Sequence, residues 1–202
     1  MAGGAASIIF ARGIYAGGVV AATVLVALLL ATLVRPGLRI WPTPGEKTWQ
    51  SYVFWPLFRG LNVLAVLAAV TTWPGGGALG LPIWLRGLGA LALAGSVAVF
   101  VYAFRVLGRD NSYGATDGLV TAGIYQWSRN PQNAMLIVVY GALAVAADSG
   151  PVYALAGATM LVYWLMILLE EPWLAAQYGE AYRSYCASVP RLFNWRRLFG
   201  RE

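Results

Sequence analysis

IYAGGVVAATVLVALLLATLV, residues Ile14 to Val34, carries no charge, and its reading decides the class of this protein. About 20 apolar residues is the length an α-helix needs to cross roughly 30 Å of hydrocarbon. The run is too long for the apolar core of a cleaved leader, and only Arg12 precedes it as a basic residue, so it reads as a retained span. Arg35-Pro36-Gly37 closes it, because proline cannot continue a helix and glycine permits the turn.

The same pattern recurs along the chain. Apolar runs cover Tyr52 to Trp73, about Leu81 to Phe104, Asn133 to Ala147 and Val152 to Leu169. Trp73-Pro74 and the glycines at 75, 76 and 77 stop the second run. Asp148-Ser149-Gly150-Pro151 is a tight turn that predicts an antiparallel hairpin of the fourth and fifth helices. Composition agrees: 59% of the 202 residues are hydrophobic and 11% are charged, against about 25% charged in a soluble domain. So few charges cannot cover a water-facing surface. The expected fold is an all-α, polytopic membrane bundle of about five transmembrane helices, with a C-terminal amphipathic cytoplasmic helix. Residues 1–104 read as a three-helix membrane part, and residues 105–202 as a loop, a helical hairpin and a cytoplasmic tail.

Arg and Lys set the orientation. One set of loops holds Arg35, Arg39 and Lys47, then Arg105, Arg109 and Arg129, then Arg183, Arg191, Arg196, Arg197 and Arg201. The other holds Arg12, with Arg86 near the start of the third helix. The first set is expected inside, which leaves the N-terminus outside and the C-terminus in the cytoplasm of what reads as a bacterial inner-membrane protein. The net charge of +6 is assigned to lipid and topology rather than to nucleic acid. The chain has no His and a single Cys186, which excludes an intramolecular disulfide and argues against a metal site.

Several polar residues lie where apolar ones are expected. Arg59 sits inside the second run, either reaching back to the headgroups or lining a polar cavity with Asn62, three residues on. Glu170-Glu171 closes the fifth run, where a helix C-terminus disfavours negative charge. The pair is either solvated beside Arg or binds a cationic ligand. Pro172 is expected to turn the chain there. Tyr178, Tyr182 and Tyr185 have the spacing of one helical face, which suits packing, an interfacial anchor or a lid. Asn130-Pro131 reads as an N-cap followed by proline at the first helical position, and free N–H groups at a helix start attract anions. An anion-attracting helix start and a carboxylate pair on one membrane side together suit a zwitterionic ligand.

These residues are ordered as in a known superfamily. Leu119-Val120-Thr121, Gly123, Tyr125, Arg129 and Pro131, then a hairpin and Glu170-Glu171, resemble the isoprenylcysteine carboxyl methyltransferases and phospholipid methyltransferases. Tyr178-Gly179-Glu180-Ala181-Tyr182, Tyr185 and Val189-Pro190-Arg191 resemble that superfamily's ending. The resemblance covers Gly118 to Arg191. It implies S-adenosylmethionine bound at the cytoplasmic end of the last two helices, beneath the tail, and a lipid-like methyl acceptor arriving from the bilayer. Carried over by position, Val120, Thr121 and the loop from Gly123 through Tyr125, Arg129 and Asn130 to Pro131 would wrap the cofactor. Glu171 with Glu170 would hold its amino or ribose groups, and Tyr182, Tyr185 and Arg191 would close the pocket.

The sequence departs from the superfamily pattern at three places. Ile124-Tyr125-Gln126 stands for Pro-Tyr-Arg, Asn130 for His, and Asn133 for Tyr. An asparagine can donate a hydrogen bond to a carboxylate but cannot shuttle a proton. The implied chemistry is methyl transfer to an oxygen, nitrogen or sulfur, with positioning in a dry pocket as the main contribution. No clear base is present, and no catalytic residue is assigned. Two other readings stay open. One is an NADPH-dependent enzyme like the sterol reductases, although Gln132-Asn133-Ala134-Met135 lacks the Tyr and Glu that follow proline in that pattern. The other is a member that keeps the fold without transferring methyl groups.

Overall fold

The computed structural model describes residues 2–73, 76–108 and 118–193, with side chains from Ser7 onward. Six α-helices account for most of them, and no strand occurs among the described residues. They are α1 (Ala2–Val34), α2 (Trp49–Thr72), α3 (Ile83–Leu107), α4 (Pro131–Ala147), α5 (Gly150–Tyr178) and α6 (Glu180–Ser188). The apolar part of α1 from Ser7, together with α2, α3 and α5, is long and apolar enough to cross a membrane.

Helix α4 has 17 residues, about 25 Å at 1.5 Å per residue, and is the shortest of the five apolar helices. It runs antiparallel along α3. At one end the Gln132 amide donates to the Ala103 carbonyl at 3.4 Å. At the other, Arg86 Nε donates to the Ala146 carbonyl at 3.1 Å. Between them Gly89 lets the helices touch: a Cβ there would lie 2.9 Å from the Ala146 nitrogen. Helix α4 therefore accompanies α3 through the same layer and is the fifth member of the bundle.

Helix α5 is the axis of the fold. It packs on α1, α2 and α4, and is the most enclosed of the long spans, whereas α3 leans chiefly on α4 and is the least. Leu25 and Leu29 of α1, Phe54 and Leu61 of α2, and Leu155 and Ile167 of α5 are fully buried along these seams. About half of α5 is buried inside the protein and a third or less of α1, α2 and α3, because lipid solvates the rest as well as a leucine would.

The expectation that the fifth helix ends at Glu170-Glu171 and turns at Pro172 is corrected. Helix α5 continues through Pro172 to Tyr178. The two acids lie within the helix, so the unfavourable end dipole that made them odd does not act on them. Glu171 is held there by partners on other elements, described below. The helix stops instead at Gly179, whose φ of 55° suits glycine. That break also separates Tyr178 from Tyr182 and Tyr185, so the three tyrosines do not share one helix.

The opposite end of the α4–α5 hairpin is closed by Asp148, which is fully buried and adopts the left-handed conformation at the end of α4. Its carboxylate accepts from the Leu79 and Leu81 N–H groups and the Tyr153 hydroxyl, each at 3.0 Å. Its carbonyl accepts from the N–H groups of Gly77 and Ala78. Burial opposes its charge, but these donors and Arg86 hold its carboxyl below the usual carboxylate range.

Candidate active site

Four separate stretches meet at the other end of the hairpin. The loop before α4 turns through a short 3-10 helix, Gly123–Gln126, into Asn130 and Pro131. Pro131 occupies the first helical position as expected. Asn130 does not cap the helix with its side chain, which corrects the capping reading. Its amide nitrogen instead donates to Glu171 Oε1 at 3.3 Å and to the Arg191 carbonyl at 3.2 Å. Donation from the amide nitrogen to a buried carboxylate and to the tail fixes the side chain in an orientation that leaves the helix start uncapped by it.

Glu171 is the centre of this network. Arg191 meets its Oε2 through Nη2 at 2.6 Å and Nε at 3.0 Å, and Arg129 Nη2 lies 3.3 Å from Oε1. The hydrogen bond to Glu171 holds the Arg191 guanidinium above its ordinary range. Arg191 also lies over the Trp164 ring, 5.9 Å from its centroid. The tail is bound to the loop by backbone as well: the Arg129 N–H donates to the Pro190 carbonyl at 3.1 Å, and Tyr185 donates to the Tyr125 carbonyl at 2.6 Å. The tail is thus packed against the loop, with Tyr182, Tyr185 and Val189 forming a small second core. Burial pushes the phenols of Tyr125, Tyr182 and Tyr185 well above their ordinary range, so all three stay neutral.

Beside this network lies a cavity of about 360 Å³. Of the residues singled out in the sequence, Asn62, Leu119, Val120, Tyr125, Arg129, Asn130, Asn133, Glu170, Tyr178, Tyr182 and Tyr185 line it. Glu171 and Arg191 stand behind the wall and hold Arg129 and Asn130. Thr121 is exposed outside it, and Gly123 and Pro131 shape the loop without lining it. Three of the lining residues bring a buried polar atom with no hydrogen-bond partner: Trp41 Nε1, Arg129 Nε and the Tyr182 hydroxyl. Buried donors are nearly always paired in native proteins, so three such atoms around one cavity make it the candidate ligand site.

Of the inner half of the cavity, only Asn62 was anticipated from the sequence. Trp55, Phe58 and Asn62 of α2 face Phe100, Phe104 and Leu107 of α3 across it, and Tyr163 and Met166 of α5 form its back. The spacings 55, 58, 62 and 100, 104, 107 each trace one helical face, which is the readable signal for this wall. Asn62 belongs to it and accepts from Tyr140 at 2.6 Å and Tyr163 at 2.8 Å. Arg59 does not share that face: it is exposed, with its guanidinium over the Trp55 ring.

Residues 84–181, just under half of the chain, match the family model described as phospholipid methyltransferase. This part of the chain is similar to that family. The match runs from α3 through the loop, the hairpin and Glu170-Glu171 to the start of α6, in agreement with the superfamily that the sequence resembles. Tyr182, Tyr185 and Arg191 lie just beyond it, and Trp41 and all of α2 lie before it. No curated protein and no solved structure matches the chain. The apolar helices, with the similarity of residues 84–181 to a phospholipid methyltransferase family, make this an integral membrane protein.

Proposed function

We propose that the protein is an S-adenosylmethionine-dependent methyltransferase acting on a lipid-like or small hydrophobic acceptor, with its active site at the cytoplasmic face. The observation that carries this reading is the set of three orphaned donors and one carboxylate, Glu170, around a largely apolar and aromatic cavity. A ligand that fits must offer oxygen acceptors, a cationic group and a flat apolar body together. S-adenosylmethionine has all three.

When bound, that cofactor supplies an electrophilic methyl group on a sulfonium. The work of the chain is to bind, orient and exclude water. Glu170 would take the ammonium or ribose hydroxyls, and Arg129 and Tyr182 would donate to oxygen atoms. The faces of Tyr125, Tyr178, Tyr182 and Tyr185 suit a cationic centre, worth about 0.5–2 kcal/mol per favourable ring. Glu171 acts through Arg129 and Asn130, whose positions it fixes. The acceptor would enter where α2 and α3 face each other across the cavity instead of packing together. An aromatic wall there keeps the site dry, which strengthens every polar contact inside.

Calorimetry on the purified protein tests this. S-adenosylmethionine is expected to bind with saturable heat and NADPH to give none; NADPH binding alone would support the reductase reading instead. Transfer of labelled methyl groups from S-adenosylmethionine into lipid extract would then separate an active enzyme from a member that binds without turnover. The orientation rests on the asymmetry of Arg and Lys between the loops. Cysteines introduced at positions 115 and 200 should resist an impermeant reagent applied outside intact cells, and reaction of both would overturn the assignment.

A further inference from the structure

Trp41 reaches the cavity from outside the family match. It sits on the loop between α1 and α2, where Ile40 beside it is fully buried and donates its N–H to Thr32 Oγ1. The loop is fastened to the far end of α5 by Arg39, whose guanidinium lies over the Trp173 ring, 5.8 Å from its centroid. The Trp41 ring is 4% exposed, stacks on Phe54 at 5.1 Å and meets Trp55 edge-on at 5.9 Å. Packing therefore fixes the ring without help from its nitrogen.

The nitrogen is the part left over. Trp41 Nε1 is buried without a hydrogen-bond partner, although the Glu170 carboxylate lies next to it and lines the same cavity. A donor left without a well-formed hydrogen bond and an acceptor beside it suit a ligand that carries both opposite groups close together. An α-amino acid terminus does so, with an ammonium and a carboxylate on one carbon. We propose that Trp41 binds the amino-acid end of the methyl donor, its indole N–H donating to the α-carboxylate while Glu170 holds the α-ammonium. This rests on the S-adenosylmethionine reading above and extends the site to a loop that the family match does not include.

The test compares S-adenosylmethionine with its decarboxylated analogue, which keeps the sulfonium, adenosine and amine. Dissociation constants are measured by calorimetry for the wild type and for Trp41→Phe, which keeps a ring on Phe54. Replacing Trp41 by 3-benzothienylalanine exchanges only the N–H for sulfur and serves where the Phe variant fails to fold. The wild type should bind the analogue about tenfold or more weakly, as befits a lost hydrogen bond to a charged group. Either substitution should weaken S-adenosylmethionine by about tenfold and the analogue by less than about twofold. Equal weakening of both ligands would make Trp41 a packing residue and overturn the proposal, as would no weakening of either. If the wild type binds neither ligand, the cofactor reading itself fails; if it binds both and only the coupling is missing, that reading stands and this contact falls.

Discussion

Two buried carboxylates stand at opposite ends of the α4–α5 hairpin, and their surroundings differ in kind. Asp148 has two backbone N–H groups, a tyrosine hydroxyl and Arg86 around it, and no orphaned donor occurs among its described neighbours. Glu171 is also paired, with Arg129, Arg191 and Asn130. Its neighbourhood, however, opens onto a cavity, and Arg129 and Tyr182 each keep one buried polar atom unbonded. The first end is complete as it stands and joins the segment after α2 to the turn between α4 and α5. The second is complete only behind the cavity wall. A buried acid is therefore not itself the mark of a site; the unfinished hydrogen bonding beside it is.

The largest effect is expected where the satisfied end is broken. Asp148→Ala leaves two N–H groups and Arg86 facing an empty buried position, and should lower the thermal midpoint by on the order of 10 °C without a specific effect on cofactor affinity. The pH dependence has a definite sign. The folded carboxyl titrates below its ordinary value, so its contribution is fully present above the unfolded pKa of about 4 and is lost as the pH falls through the folded value. Wild-type stability measured from pH 7 to pH 3 should fall only at the acid end, and Asp148→Ala should flatten that fall. A variant as stable as the wild type would erase the distinction between the two ends.

At the unfinished end, adjacent acids should separate. Glu170→Gln removes a carboxylate that faces the cavity, and should weaken S-adenosylmethionine binding by roughly tenfold to a hundredfold while the ligand-free midpoint moves by little. Glu171→Gln breaks the anchor for Arg129 and Arg191, and should lower both the midpoint and the affinity. Paired thermal and calorimetric titrations read the two quantities. Identical behaviour of the two variants would mean that the wall and the cavity are not separate layers.

Hydrogen exchange should show the same contrast across the membrane. Saturating S-adenosylmethionine is expected to protect residues 119 to 131 and 174 to 191 several-fold, and to leave residues 76 to 82 and 146 to 153 unchanged. Protection at neither end would make the tail an interfacial anchor.

Much of this was legible in the chain. Long apolar runs gave the helices, because lipid leaves the backbone no other partner than itself. The tyrosines and Glu171 stood out through spacing and charge. What escaped was governed by tertiary context. Pro172 was expected to end a helix, since it removes one N–H, yet Glu171 just before it is tied to Arg129 and Arg191 on other elements, and the helix continues. Asn130 was expected to cap, but a carboxylate 41 residues away in sequence takes its amide. Trp41 gave no signal at all, because a single tryptophan in a loop says nothing of its neighbours until α2 and α5 are brought beside it.

The smallest effects compare Tyr182 with Tyr185, two ring neighbours 6.2 Å apart on α6. Both are buried and neutral, so deleting either hydroxyl changes neither charge nor much volume. They differ in what the hydroxyl does. That of Tyr185 donates to the Tyr125 carbonyl at 2.6 Å and ties the tail to the loop. Tyr185→Phe leaves that carbonyl without its partner and should lower the ligand-free midpoint by a few degrees, about 1 kcal/mol. The hydroxyl of Tyr182 has at most the weak thiol of Cys186 beside it, so its burial is a cost that the ligand-free protein carries. Tyr182→Phe should therefore leave the ligand-free midpoint unchanged or raise it by a degree or two. If the hydroxyl is kept for a ligand oxygen, the same substitution should weaken S-adenosylmethionine by about threefold to tenfold. Opposite signs in stability and affinity at Tyr182, against loss of stability at Tyr185, would tie the orphaned hydroxyl to binding. A Tyr182→Phe protein that gains stability and binds as well as the wild type would show that the cavity takes its ligand without the lid.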